Sequence, residues 1–189
     1  MKSKTIYVVF GMTGAGKTTL VNYITDNMNI KRIKTTTTRP QRSAVDNEYK
    51  FATNDSFEQD NGRYIAVRKY YTLLEDVPQY HYYGVDKHEL DNGGVMITDF
   101  EGLKELLMRR DNIVGIYLYA DTKTRRERAT GRPGFKSNEF ERRNNDDKTK
   151  FPMSQIIKLG TTYPIYILDN TEGIEHAIDK IDLIINNHK

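Results

Sequence analysis

The stretch Gly11-Met12-Thr13-Gly14-Ala15-Gly16-Lys17-Thr18 constrains this chain more than any other, because it fits the pattern G-x-x-x-x-G-K-[ST]. The apolar run from Ile6 to Phe10 before it predicts a buried strand, and Thr19 to Ile24 after it predict the first turns of a helix. Glycines between a strand and a helix let consecutive backbone N–H groups curl around an anion at the positive end of the helix dipole. In such a loop the lysine reaches β- and γ-phosphates, and the threonine hydroxyl is placed to ligate Mg²⁺. Gly11, Thr13, Gly14, Ala15, Gly16, Lys17, Thr18 and Thr19 are therefore the candidate contacts of a nucleoside triphosphate, with ATP and Mg²⁺ the expected pair and Thr18 the metal ligand. The bland alternative, a glycine-rich β-turn, explains neither the flanking strand nor the flanking helix.

A chain of 189 residues is long enough for one α/β domain and too short for two full ones. It carries no cysteine, which excludes a disulfide scaffold or thiolate metal site and suits a reducing compartment. Its apolar runs fall short of a signal peptide or a membrane span, so a cytoplasmic protein with no membrane partner is expected. A net charge of +3 is too small to imply a long polyanion, and nucleic acid is not an expected partner. The lysines and arginines between Lys123 and Lys150 instead suggest a local anionic ligand.

Further buried strands are predicted over Val95–Asp99, Ile113–Tyr119 and Tyr163–Leu168, with helices around Leu103–Met108 and from Ile174 to Ile185. Their alternation predicts an α/β fold, an open parallel sheet of the P-loop NTPase type with crossover helices. Two segments break it. Residues about 34–86 predict a small mixed or antiparallel β lobe inserted into the core. Residues about 122–161 predict a helical lid, with Gly131-Arg132-Pro133-Gly134 between its helical stretches. The core is then about 1–33, 87–121 and 162–189 of a single domain.

Thr35-Thr36-Thr37-Thr38-Arg39-Pro40-Gln41-Arg42, then Glu48-Tyr49-Lys50-Phe51, then Tyr82-Tyr83-Gly84, resembles the monophosphate-binding region of guanylate kinases. Those P-loop nucleoside-monophosphate kinases carry T-T-R-x-x-R, D-Y-x-F and Y-Y-G runs in that order. Asp99-Phe100-Glu101-Gly102 is similar to the family's D-x-Q-G, and Arg132 and Arg143 to its pair of lid arginines. The resemblance runs over nearly the whole chain. It implies transfer of the γ-phosphoryl of ATP to a small-molecule nucleotide, GMP or dGMP first. The acceptor phosphate would lie on Arg39, Arg42, Tyr49 and Tyr83, with Thr35 at the base edge and Asp99 beside the acceptor or the metal. Lys17, Arg132 and Arg143 would stabilise the transferred group. Arg128 would close over the triphosphate, and the strand and loop ending in Asp169 and Asn170 would hold the ATP base. The chemistry is coherent, since a doubly charged phosphate suits arginine forks. Arg125 and Arg126, by contrast, read as a solvated helix face.

The match thins at guanine. The family's base-contacting glutamate falls on Ala66, its following hydroxyl residue on Val85, and the first of its paired acids on Ile97. Glu75 or Asp86, from what reads as a longer loop between Val67 and Tyr82, are candidate replacements. A pocket stripped of acceptors discriminates less sharply between bases. Other phosphorylated acceptors, such as ribose 1,5-bisphosphate or a non-guanine or modified nucleotide, therefore remain open. So does a non-catalytic guanylate-kinase-like binding module, although the intact phosphate loop argues against it.

Overall fold

The computed structural model describes residues 4–41, 49–74, 77–132 and 134–188. Strand β1 (Ile6–Phe10) leads through the glycine loop into helix α1 (Lys17–Asn27). Strands β2 (Thr35–Thr37) and β3 (Tyr49–Phe51), helix α2 (Asn54–Gln59) and the long strands β4 (Tyr64–Leu74) and β5 (Val77–Asp86) follow. The chain continues through β6 (Gly94–Ile97), α3 (Phe100–Arg109), β7 (Ile113–Tyr119), α4 (Thr122–Thr130), α5 (Ser137–Lys150) and α6 (Met153–Gly160). It ends in β8 (Ile165–Asp169) and α7 (Glu175–Asn187).

Two four-stranded sheets result. The first, ordered β6-β1-β7-β8, is parallel throughout, and β1 sits inside it with every residue buried. Successive side chains of a strand point to opposite faces, so both faces of β1 must be covered. Ile6, Val8 and Phe10 pack with Phe100, Leu103 and Leu106 of α3 and with Ile156 of α6. Tyr7 and Val9 pack on Leu20, Val21 and Ile24 of α1 and on Ala177, Ile181 and Ile185 of α7. The chain is thus an α/β fold with a P-loop NTPase-like core. After β1 it crosses to β6 on one side and then returns to β7 on the other. That reversal falls between β1 and β7, and the crevice at the C-terminal ends of the strands there is where α/β sheets take their ligands.

The second sheet, ordered β3-β2-β5-β4, is mixed: β2 runs parallel to β3 and antiparallel to β5. The described residues between Val67 and Tyr82 do not form a loop. They extend β4 and β5 into one hairpin, paired from Tyr64↔Asp86 to Leu74↔Val77. Arg42, Glu48, Glu75 and Pro133 lie outside the described residues. Among the described residues no helix is long and apolar enough to cross a membrane.

Candidate active site

The glycine loop owes its shape to backbone that only glycine takes easily. Gly11, Gly14 and Gly16 have φ of 145°, 84° and 97°. Each also lies where a Cβ would collide. At Gly11 it would fall 2.3 Å from the Leu118 carbonyl oxygen, and at Gly16 2.5 Å from Asn170 Nδ2. Ala15, fully buried, instead offers its carbonyl to Asn170 Nδ2 at 2.7 Å. The loop is therefore inlaid against β7 and the end of β8, with α1 starting directly behind it.

Lys17 folds back over the loop, donating from Nζ to the carbonyls of Gly11 (2.7 Å) and Met12 (2.9 Å). Burial pushes its ammonium down to about 8; Asp147 pulls the value up, while Arg132 and Arg125 press it down. The Thr13 peptide is gripped from both sides. Its N–H donates to Asp147 Oδ2 at 2.6 Å, and its carbonyl accepts from Arg125 Nη1 at 3.2 Å. Arg125 is not the solvated residue that the charge run suggested. It is 2% exposed, and it also bonds the Ala120 carbonyl, Thr122 Oγ1 and Asn144 Oδ1. Arg126 is exposed and pairs with Glu141, as its position in the run implied.

One cavity of about 940 Å³ joins this loop to the second sheet. On its loop side lie Gly11, Thr13, Gly14, Gly16, Lys17, Thr18 and Thr19. Thr35, Arg39, Tyr49 and Tyr83, in or beside the second sheet, line the cavity too, as do Asp99 just after β6 and Arg132 and Arg143. Arg39 is buried, with its guanidinium over the rings of Tyr49 (5.3 Å) and Phe51 (5.6 Å). Tyr49 and Tyr83 meet edge to face at 5.8 Å. The triphosphate candidates and most of the acceptor candidates thus share one space.

Other expected residues are placed differently. Arg128 is not on the cavity wall; its Nη2 donates to the Asn170 carbonyl at 2.7 Å. Asp169 lines a separate, smaller cavity with Tyr119, Asp121 and His176. Asp86, a candidate base acceptor, is also off the main wall. It caps the turn at His88 and is bound by Arg63 at 2.6 and 2.7 Å. Asp99 is on the wall but heavily engaged. Oδ1 takes the Gly102 N–H (2.8 Å) and Arg68 Nε (3.1 Å), and Oδ2 takes the Tyr70 hydroxyl (2.7 Å). It therefore caps α3 and anchors β4 as well as facing the cavity. Arg143 donates from Nε to Glu139 Oε1 at 2.7 Å. The fork of Arg142 and then Arg143 hold the Glu139 carboxyl down at about 2.

Two buried side-chain atoms lack a hydrogen-bond partner among the described residues, Arg128 Nη1 and Asn170 Oδ1. Asn170 is tied to the loop through the Ala15 carbonyl and Arg128 to Asn170, and a buried orphan of each polarity calls for a polar partner there. The glycine cradle and Lys17 fit a polyphosphate. A single hydroxyl, Thr18, fits Mg²⁺, which keeps several waters and binds mainly through phosphate oxygens. Asp147, Arg68, Tyr70 and Arg125 were not identified from the sequence as parts of this site. For Asp147 a signal existed: Phe140, Asn144 and Asp147 form a buried stripe at helical spacing on α5.

A family model described as an AAA domain matches residues 8–150. The crystal structure of guanylate kinase from Anaplasma phagocytophilum is similar over 99% of this chain and 87% of that one, at 20% identity and a TM-score of 0.56. At that identity the likeness establishes the fold. No curated protein matches the chain. The phosphate loop and the matching family model together describe a nucleotide-binding domain on a P-loop NTPase-like fold.

Proposed function

We propose that this chain, which belongs to the AAA-domain family, is an ATP-dependent nucleoside-monophosphate kinase acting on GMP or dGMP and yielding ADP and the diphosphate. The observation that carries the reading is the shared cavity, with Lys17 and the glycine loop on one side and Arg39, Tyr49 and Tyr83 on the other. Two phosphate-binding walls facing one space are what transfer between two phosphorylated molecules needs. The loop N–H groups and Lys17 bind the β- and γ-phosphates of ATP. Thr18 would hold Mg²⁺, which supplies neutralisation of the phosphate charge when bound. Arg39, Tyr49 and Tyr83 orient the acceptor phosphate, with Arg42 the further candidate. An acceptor oxygen attacks the γ-phosphorus, and the bond to the β–γ bridging oxygen breaks as ADP leaves. The attacking oxygen is already ionised, so no strong general base is required. Arg132 and Arg143 stabilise the charge on the transferred group and, on a closing lid, exclude water as a competing acceptor.

Coupled ADP release with Mg-ATP against GMP, dGMP, AMP, UMP, dTMP and ribose 1,5-bisphosphate tests this, with Lys17→Ala as the blank. Turnover on GMP or dGMP that disappears with Lys17→Ala is expected. Silence on every acceptor would remove the kinase reading. A second reading, a different phosphorylated acceptor, is favoured by one observation: Ala66 and Val85 stand on the wall where guanylate kinases present hydrogen-bonding side chains. Turnover on another member of the panel alone would select it.

A further inference from the structure

This inference rests on the wall formed by β2, β4 and β5 being the acceptor site. The side chains of Ala66 and Val85 on that wall can form no hydrogen bond. The carboxylate beside it, Asp99 between β6 and α3, is already engaged by three donors. Besides the Thr35 hydroxyl, the wall offers a base a fixed, charged donor.

That donor is delivered by an irregularity in the hairpin. Ile65 pairs with Val85, but the next pair is Arg68 with Tyr83, so Ala66 and Val67 both stand opposite Gly84. Ala66 absorbs the extra residue at φ 53°, in the left-handed region. Residues directly opposite across an antiparallel pair share a face, and a slip of one residue exchanges the faces. In regular pairing Val67 would stand opposite Tyr83; the bulge puts Arg68 there instead. Tyr83 lines the cavity, and so does Arg68. The guanidinium plane is then fixed, with Nε on Asp99 and Nη1 on the Val67 carbonyl, and with Glu105 at 3.4 Å. Nη2 makes no hydrogen bond among the described residues.

We infer that Arg68 reads the acceptor's base through a carbonyl oxygen, and that the site takes 6-oxopurine monophosphates with or without an amine at C2. A guanidinium has donors and no acceptor. A purine that presents an exocyclic amine at position 6 leaves donor facing donor, and both go unpaired. Among the described residues of β2, β4 and β5 no carboxylate lines the cavity, so an amine at C2 adds little selectivity.

Equilibrium binding of GMP, IMP and AMP to the full chain, a purine series of matched size, tests the inference without relying on turnover. GMP and IMP are expected to bind within about threefold of each other, and AMP about tenfold or more weaker, the worth of one charged hydrogen bond. Arg68→Met is expected to weaken GMP and IMP about tenfold and bring AMP within about threefold of them. Arg68→Lys, which keeps a donor, is expected to retain part of the preference. The inference is overturned by binding of GMP more than tenfold tighter than IMP, by equal binding of AMP, or by no purine binding. Equal weakening of all three by both variants would also overturn it, because that reports only the support Arg68 gives Asp99. The same samples assayed for ADP release separate the two claims. Selective binding without transfer removes the kinase reading and leaves Arg68 standing; transfer without 6-oxo selectivity does the reverse.

Discussion

Asp147 occupies the place of an anion on the phosphate loop, and replacing it should tighten ATP binding. Its Oδ2, on α5, takes the Thr13 N–H at 2.6 Å. A triphosphate entering the loop meets this carboxylate as a competitor for the same donor and as a like charge. In Asp147→Asn the amide oxygen still accepts from Thr13, so geometry is kept while charge is removed. A charged hydrogen bond is worth about 1.5–3 kcal/mol and a neutral one about 0.5–1.5, so the competing state loses about 1 kcal/mol. Loss of repulsion acts in the same direction. The dissociation constant for Mg-ATP, measured by calorimetry at neutral pH and fixed salt, should fall about five- to tenfold. Lys17 supplies a second readout. Its ammonium titrates near 8 with Asp147 holding it up, so ATP affinity should decline as pH rises through about 8. In the variant that decline should begin at lower pH. An unchanged or weaker affinity for ATP would refute the reasoning and make Asp147 a supporting partner of the bound state.

Gly11→Ala should cost about 3 kcal/mol or more in urea unfolding, because the new Cβ meets the Leu118 carbonyl at 2.3 Å in backbone that disfavours side chains; a loss under 1 kcal/mol would contradict this. Ala66→Gly should be neutral or stabilise by up to about 1 kcal/mol, since relief of the left-handed strain offsets the usual entropic cost of glycine. A drop of more than about 1 kcal/mol would count against that strain. Glu139 has its pKa lowered from 4.5 to about 2, so its pairing with Arg142 and Arg143 stabilises the fold above pH 4.5 and is lost as pH falls towards 2. With its side chain 30% exposed, the contribution is about 1–2 kcal/mol; Glu139→Gln should remove that part of the pH dependence of the urea midpoint.

Local chemistry makes part of this molecule legible in its sequence. The phosphate loop could be read because its glycines answer a backbone demand that no other residue meets cheaply. Strand β7 falls where the β-branched run Ile113–Tyr119 put it, and α3 encloses the periodic leucines Leu103 and Leu106. What sequence could not supply was phase among polar residues. Arg125 and Arg126 are neighbours of one type, yet one lies under the loop and the other in solvent. Asp146 and Asp147 pose the same ambiguity on α5, settled only by which side of the helix meets Thr13. Arg68 was harder still. Its inward direction follows from a bulge two residues earlier, and nothing in Tyr64-Ile65-Ala66-Val67 marks that extra residue.

The way the loop is inlaid bears on how the chain matures during synthesis. The loop is finished within the first twenty residues, but its wall is not. Gly11 rests on the backbone of Leu118, Gly14 on that of Arg125, and the Ala15 carbonyl on Asn170, 155 positions downstream. A nascent chain that has emerged only as far as β6 carries the complete motif without its mould. Such distant closures are slow to form and come late. The emerging polypeptide should therefore gain affinity for nucleotide only after β8 has left the ribosome, and a fragment ending before Asn170 should carry the motif and bind no triphosphate.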